Sequence, residues 1–422
     1  MRKTFVLSVY SVAKGEWIVK GLKSALALTG NIRILALVSF LSQISARMLE
    51  VIWQPFVLSL GASMPALGAL QSARSVIASL VQPSSGRAAD RRGRKPFVIL
   101  ASLLTLAGFV LCIVARTWLF LIPAIVFLGT AWVGNPARQS LVAESVEPGE
   151  RGTAFSVVSF SGMLTGFFAP LLGGFLATSY GFKSVFYISI LMEALCLGLT
   201  AFFIRETLRR AGGGAIEEGM DVRTTLVSLF KPERGLEGFY AAMTLDAFAF
   251  GICGSIFFGM LTDTFGFTPY QLGILGTAFA ISMALAQIPA GKFVDRYGRK
   301  PSLIAFGTVI ILVIFGRMVA TRFEVFAALQ VLLGIAVSAW IPATWALLAD
   351  SLPEEMRAEG MGKFTCFKDL LSSPGPYVGG LLYSFFGYRG PMMAGLILSV
   401  IVLIIILRSV HEKTQEEKPR RL

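Results

Sequence analysis

Apolar runs of about twenty residues, parted by short polar breaks, follow one another along most of the chain. At a helical rise of about 1.5 Å per residue, a run of that length crosses the roughly 30 Å hydrocarbon core of a bilayer. Twelve such runs predict membrane-spanning helices: 34–60, 65–81, 97–115, 118–142, 153–178 and 184–204, then 239–262, 270–294, 302–320, 325–348, 364–386 and 391–407. The breaks hold the Gly, Pro and charged residues of turns. The chain divides into an amphipathic N-terminal segment (1–31), a six-helix bundle (32–204), a linker of mixed charge (205–236), a second six-helix bundle (237–410) and a charged tail (411–422). The fold class predicted is therefore an all-α membrane protein of twelve transmembrane helices.

The first run carries polar residues at helical spacing: Ser39, Gln43, Arg47, Glu50 and Gln54. Steps of three and four place them on one face. An ionisable group in a bilayer costs about 2.5–3.5 kcal/mol on insertion scales, so such a stripe is expected to face an aqueous path rather than lipid.

Composition agrees with a lipid solvent. Hydrophobic residues make up 55% of the chain and charged ones 15%, against roughly 25% charged in soluble domains. The net charge of +13 would suit nucleic acid if the cations formed one patch. They follow topology instead. Of 38 Lys and Arg, 28 lie in the two tails, the linker and the breaks after runs two, four, eight and ten or at the run ends adjoining them, whereas the opposite breaks hold only Arg116, Lys183, Arg322 and Arg389. Short basic loops stay in the cytoplasm, so both termini are expected there, in a multi-pass protein of the plasma membrane. No nucleic-acid partner is expected. The opening MRKTFVLSVYSVAK has the layout of a secretory signal, yet Lys14, Lys20 and Lys23 among Trp17, Ile18, Val19 and Leu22 read better as a segment lying on anionic lipid.

The chemistry of most enzymes is missing. Cys112, Cys196, Cys253 and Cys366 stand singly in apolar runs, and His411 is the sole histidine. Neither a disulfide frame nor a metal site is indicated, and without a phosphate-binding loop ATP is not expected to drive the protein. No cofactor is called for. An intramembrane enzyme would need a clustered nucleophile or carboxylate pair, which the sequence does not offer.

The two bundles are related. GRAADRRGRKP (86–96) recurs as GKFVDRYGRKP (291–301), identical at seven of eleven positions with an offset of 205. Ala143-Glu144-Ser145 and Arg151 return as Ala349-Asp350-Ser351 and Arg357, and Pro170, Gly173 and Gly174 as Pro376, Gly379 and Gly380, all at 206. Duplicated halves fit a carrier that works by rocking one repeat against the other.

The loop G-x-x-x-D-R-x-G-R-K between runs two and three, repeated between eight and nine, is similar to the signature loop of the major facilitator superfamily. The resemblance covers essentially the whole chain. It implies that the loops latch the two halves on the cytoplasmic side, which assigns gating roles to Gly86, Asp90, Arg91, Gly93 and Arg94, with Glu144 as the carboxylate within reach of Arg91 or Arg94. Asp90 is expected to cap the next helix. The second copy offers Gly291, Asp295, Arg296, Gly298, Arg299 and Asp350. Two features depart from the proton antiporters of that family. Ile125 stands where many carry an arginine in run four, and their run-five G-P-x-x-G-G reads Ala169-Pro170-Leu171-Leu172-Gly173-Gly174 here, the intact version falling at Gly375 to Gly380.

The resemblance also implies that runs one, four, seven and ten line the path. Candidate pathway residues are then Gln43, Arg47, Glu50 and Gln54, with Arg74 from run two, Asn135 and Gln139 from run four, Asp246 from run seven, and Trp340 and Trp345 from run ten. Arg74 suits either an ion pair with Glu50 or Glu193 or contact with an anionic solute, and the two tryptophans suit packing as well as stacking. Lys368 and Asp369, adjacent in run eleven, are expected to pair with neighbours. Glu50 beside Arg47 is a candidate proton carrier, because its proton affinity changes when solute engages the arginine; Asp246 is the alternative. The expectation is a monomeric secondary transporter of a small organic solute, proton-coupled and of the drug-efflux type, with uptake or exchange of an organic anion and a non-transporting membrane sensor as alternatives.

Overall fold

The computed structural model describes residues 30–207, 235–352 and 357–409. The expected amphipathic segment, apart from its last two residues, most of the linker and the charged tail lie outside these described residues. Within them the chain is nearly all helical. The first half runs α1 (Gly30–Ser59), α2 (Met64–Arg92), α3 (Lys95–Val114), α4 (Leu121–Thr130), α5 (Gly134–Glu144), α6 (Arg151–Leu164), α7 (Ala169–Tyr180) and α8 (Phe182–Phe203). The second runs α9 (Glu237–Cys253), α10 (Phe257–Phe265), α11 (Pro269–Tyr297), α12 (Arg299–Val319), α13 (Phe323–Ser351), α14 (Arg357–Ser372), α15 (Gly375–Phe386) and α16 (Arg389–Ser409).

Nine helical stretches among the described residues are long and apolar enough to cross a membrane, and ten if the bent pair 148–167 and 169–180 counts as one. The two remaining expected spans are helical but less apolar. Polar residues explain both: α2 contains Gln71, Arg74 and Gln82, and α14 contains Lys368 and Asp369. These are groups that a carrier keeps facing its interior rather than lipid.

The helix starts follow from the sequence. Ser63 caps α2, its hydroxyl accepting from the Ala66 amide at 3.4 Å, with Pro65 in the first turn. Thr268, 205 positions on, caps α11 in a reciprocal box with Gln271, and Pro269 follows it. Burial also obeys the period. On α8, Tyr187, Leu191 and Leu195 form an exposed stripe four residues apart, while Phe186, Ser189, Glu193, Cys196 and Thr200 are buried. The exposed stripe is a lipid-facing surface.

Each half packs mainly on itself, α1 against α6 and α8, α9 against α16, α11 and α12 against α13. Two seams join the halves: α2 lies on α15, and α7 on α11. Glycine makes both possible. A Cβ on Gly174 would strike the Pro269 carbonyl and one on Gly380 the Met64 carbonyl; Gly68 likewise meets Pro376, and Gly273 meets Pro170. Absence of side chains lets the backbones touch. Both seams lie at the far end, away from the helix ends that lead to the linker and tails.

At the tail end the repeated loops turn on Gly93 (φ +102°) and Gly298 (φ +95°), a backbone region that favours glycine. Arg94 reaches Glu144 at 2.7 Å and Asp90 at 3.1 Å, and Arg299 reaches Asp350 at 3.1 Å. These ion pairs lie inside each half, not between halves. Arg91 and Asp295 are exposed, Arg296 sits over the Tyr297 ring at 5.5 Å, Gly86 has Pro136 beside it and Gly291 faces open space. Asp90 does not cap the next helix. Its carboxylate is engaged by Arg94, and Glu206 takes the capping place, accepting from the backbone amides of Arg94 and Lys95 at 3.1 and 3.0 Å. A carboxylate at a helix N-terminus answers the free amides and the dipole together. Glu206→Ala is expected to destabilise the first half by about 0.5–2 kcal/mol, read as a lower midpoint of thermal unfolding in detergent. An unchanged midpoint would show the cap to be dispensable.

Candidate functional site

The polar stripe of α1 opens onto a cavity of about 660 Å³ between the halves. Gln43, Arg47, Glu50 and Gln54 line it as expected from their spacing, joined by Gln71 and Arg74 of α2, Asn135 and Arg138 of α5, and Glu193 of α8. The second half contributes Phe250, Ser255, Phe257, Phe258, Phe279, Arg317 and Gln330. The first half brings most of the charge, and aromatic rings line both sides, Trp53, Phe109, Trp132 and Phe186 coming from the first half.

A break in the seventh traverse closes the far end. Between α9 and α10 the helix is interrupted at Gly254 to Ile256, which leaves backbone groups without their usual helical partners. First-half glutamines meet them. Gln54 and Gln71 both donate to the Ser255 carbonyl, at 2.8 and 3.2 Å, and the Gly259 amide donates to the Gln54 side-chain oxygen at 2.6 Å. The Tyr270 amide donates to Thr178, and the Tyr377 amide to Ser72. All five of these bonds between halves sit at the far end. Together they shut the cavity at that end.

The charges in the cavity are unequally matched. Arg47 and Glu50 pair at 2.9 Å with both side chains well exposed, 37% and 56%. Glu193 is buried, 6% exposed, and forms no ion pair among the described residues. Arg74 pairs with neither glutamate, which settles that expectation against an ion pair. Asn135 donates to Gln82 at 3.3 Å.

Four expected pathway residues stand elsewhere. Asp246 accepts from the Trp340 indole at 3.2 Å, and the two border a separate, much smaller cavity with Gly307, Ser399 and Leu403. Trp345 packs edge-on against Phe364 with ring centroids 6.0 Å apart, the packing alternative. Gln139 is exposed, one helical turn beyond the cavity-lining Asn135 on the same face of α5. Membership of a span says nothing of rotation about the helix axis, and Asp246, Trp340 and Trp345 face their own half. Lys368 and Asp369 pair with each other at 2.7 Å rather than with neighbours, because the long lysine stem bends back across the one-residue step.

Arg317, Gln330 and the phenylalanines were not legible as site residues. Arg317 sits near the end of an apolar run, where an arginine also serves as an interfacial anchor. The usable signal was negative: neither Arg317 nor Arg74 has an acidic residue three or four positions away, in contrast to Arg47.

The family model described as Major Facilitator Superfamily matches residues 35–262 and again 239–421. The multidrug resistance protein MdtG of Salmonella arizonae is 26% identical over 326 residues, covering 76% of this chain and 80% of the relative. Among solved structures, the nucleoside transporter NupG superposes with a TM-score of 0.74 at 14% identity over 90% of this chain and 100% of the other. A D-xylose–proton symporter does so with 0.69 at 15% over 91% and 98%. At those identities the two structures speak for the fold.

Proposed function

On the premise that the chain belongs to the major facilitator superfamily and is a secondary transporter, not an enzyme, we propose that it expels amphipathic organic solutes in exchange for protons. One observation carries this reading: a cavity of about 660 Å³ at the junction of two related halves, with hydrogen bonds between the halves sealing its far end. The volume lies within the roughly 300–1,000 Å³ of small-molecule sites. Charged groups interleaved with aromatic rings suit amphipathic cargo, and relatives named for multidrug resistance support export.

In this reading the working unit is a monomer in the plasma membrane, both tails are cytoplasmic, and the structure is the inward-facing state. The tail-end loops, with Asp90, Arg94 and Glu144 in one half and Arg299 and Asp350 in the other, are at rest within their own halves here and meet across the gap when the far end opens. The Arg47–Glu50 pair carries the proton. Purified protein in vesicles with an imposed pH gradient tests this. Solute accumulation should follow the gradient and collapse with a proton carrier. Accumulation indifferent to the pH gradient would remove proton coupling, and a tail cysteine labelled from outside intact cells would reverse the orientation.

A further inference from the structure

The cavity wall holds four arginines, Arg47, Arg74, Arg138 and Arg317, against two glutamates, Glu50 and Glu193, and no lysine, aspartate or histidine. Glu50 is held by Arg47, whereas Glu193 forms no ion pair and feels Arg138 only from beyond ion-pair distance. The cations of the wall exceed its carboxylates by two. Neither Arg74 nor Arg317 has a carboxylate within ion-pair reach among the described residues. Arg74 makes no hydrogen bond there either, although it lines the cavity beside Gln71. Arg317 is 5% exposed, donates only to the neutral Gln330, and rests 4.1 Å from the centre of the Phe257 ring; its Nε has no partner. Two uncompensated cations in a membrane interior are costly to keep, and they stand on opposite walls, one in each half.

From this we infer that the cavity is built for an organic anion with an apolar body, its acidic group held between Arg74 of the first half and Arg317 of the second. The guanidinium fork matches a carboxylate, sulfonate or phosphonate, and a charge-assisted bond in a partly dry site is among the stronger polar contacts. Phe250, Phe257, Phe258 and Phe279 supply the surface for the body. A cationic solute would meet an excess of like charge, four arginines against two glutamates, one of which is already paired. Because the two arginines belong to different halves, the anion bridges the parts that rock, so its binding favours closure of the gap between them.

This inference rests on the transporter reading only in treating the anion as cargo, and the experiment keeps the two apart. Three probes with one biphenyl body, a carboxylate, its neutral amide and a methylammonium, are titrated into the purified full chain by calorimetry. The carboxylate should bind about tenfold or more tighter than either other probe, as charge-assisted bonds worth about 1.5–3 kcal/mol require. Arg74→Gln and Arg317→Gln should each remove most of that preference, and Arg317→Lys should retain part of it. The parent chain alone decides the sign of the preference, whatever the fate of a Gln variant. Equal binding, no binding, or preference for the ammonium overturns the anion site, as does a preference that survives both Gln substitutions. Selective carboxylate binding without movement across vesicles leaves the site and removes the transport reading. Accumulation of the ammonium probe in vesicles does the reverse.

Discussion

Replacing Glu50 by Gln is expected to abolish solute accumulation driven by a pH gradient, by about tenfold or more, the range of coupling between two ligands of one protein. Counterflow of solute between loaded vesicles should persist. The pair it breaks has its side chains 37% and 56% exposed, facing the cavity rather than buried in packing. An ion pair that wet contributes about 0–1 kcal/mol, so its loss leaves the fold in place. A buried pair behaves otherwise, since the surviving charge is stranded. Loss of folding or of all binding in the Gln variant would therefore show the pair to be structural. Retained accumulation with an unchanged pH dependence would move the proton to Asp246, in its separate cavity beside Trp340.

The second large effect is expected at the seams. Gly174→Leu or Gly380→Leu places a side chain where the backbone carbonyls of Pro269 and Met64 already touch the glycine. A carbonyl in a helix cannot swing aside as a side-chain tip does, and overpacking costs about 1–3 kcal/mol. That cost falls on the state closed at the far end and shifts the balance between states by about 5–150-fold. Transport should drop accordingly. In a chain stripped of its four native cysteines, Ser255→Cys should become several-fold more reactive toward an impermeant thiol reagent, because the Gln54 and Gln71 seal over Ser255 no longer forms. Unchanged labelling in a well-folded variant would mean that the seams are not what closes the far end.

What could be read in advance divides along a physical line. The stripe on α1 was legible because a single helix carries it, and the period of 3.6 residues determines that Gln43, Arg47, Glu50 and Gln54 share a face. The loop turns were legible because glycine at Gly93 and Gly298 answers a backbone requirement that is local. Asp246, Trp340 and Trp345 were placed on the path by their span alone, and which neighbour a helix turns them toward depends on packing with α12, α14 and α16. The cap on α3 was hidden for a related reason: Glu206 lies 112 residues after Arg94, and no local rule points across that distance. Arg317 needed both facts at once, a span and its rotation.

The seams have a consequence for the chain's ancestry. Gly68 of α2 rests on Pro376 of α15, and its counterpart Gly273 of α11 rests on Pro170 of α7; Gly380 touches Met64 as Gly174 touches Pro269. Each contact thus occurs twice with the roles of the halves exchanged, which is the pattern of an isologous interface between identical subunits. A six-helix forerunner would have met a second copy of itself through this same surface as a two-fold homodimer, so the glycines had a partner before the duplication joined the copies. Fusion then freed the two copies to diverge, so that the first half now brings Arg47, Arg74, Arg138 and both glutamates to the cavity and the second brings Arg317 alone, an asymmetry closed to a homodimer obliged to present both surfaces identically.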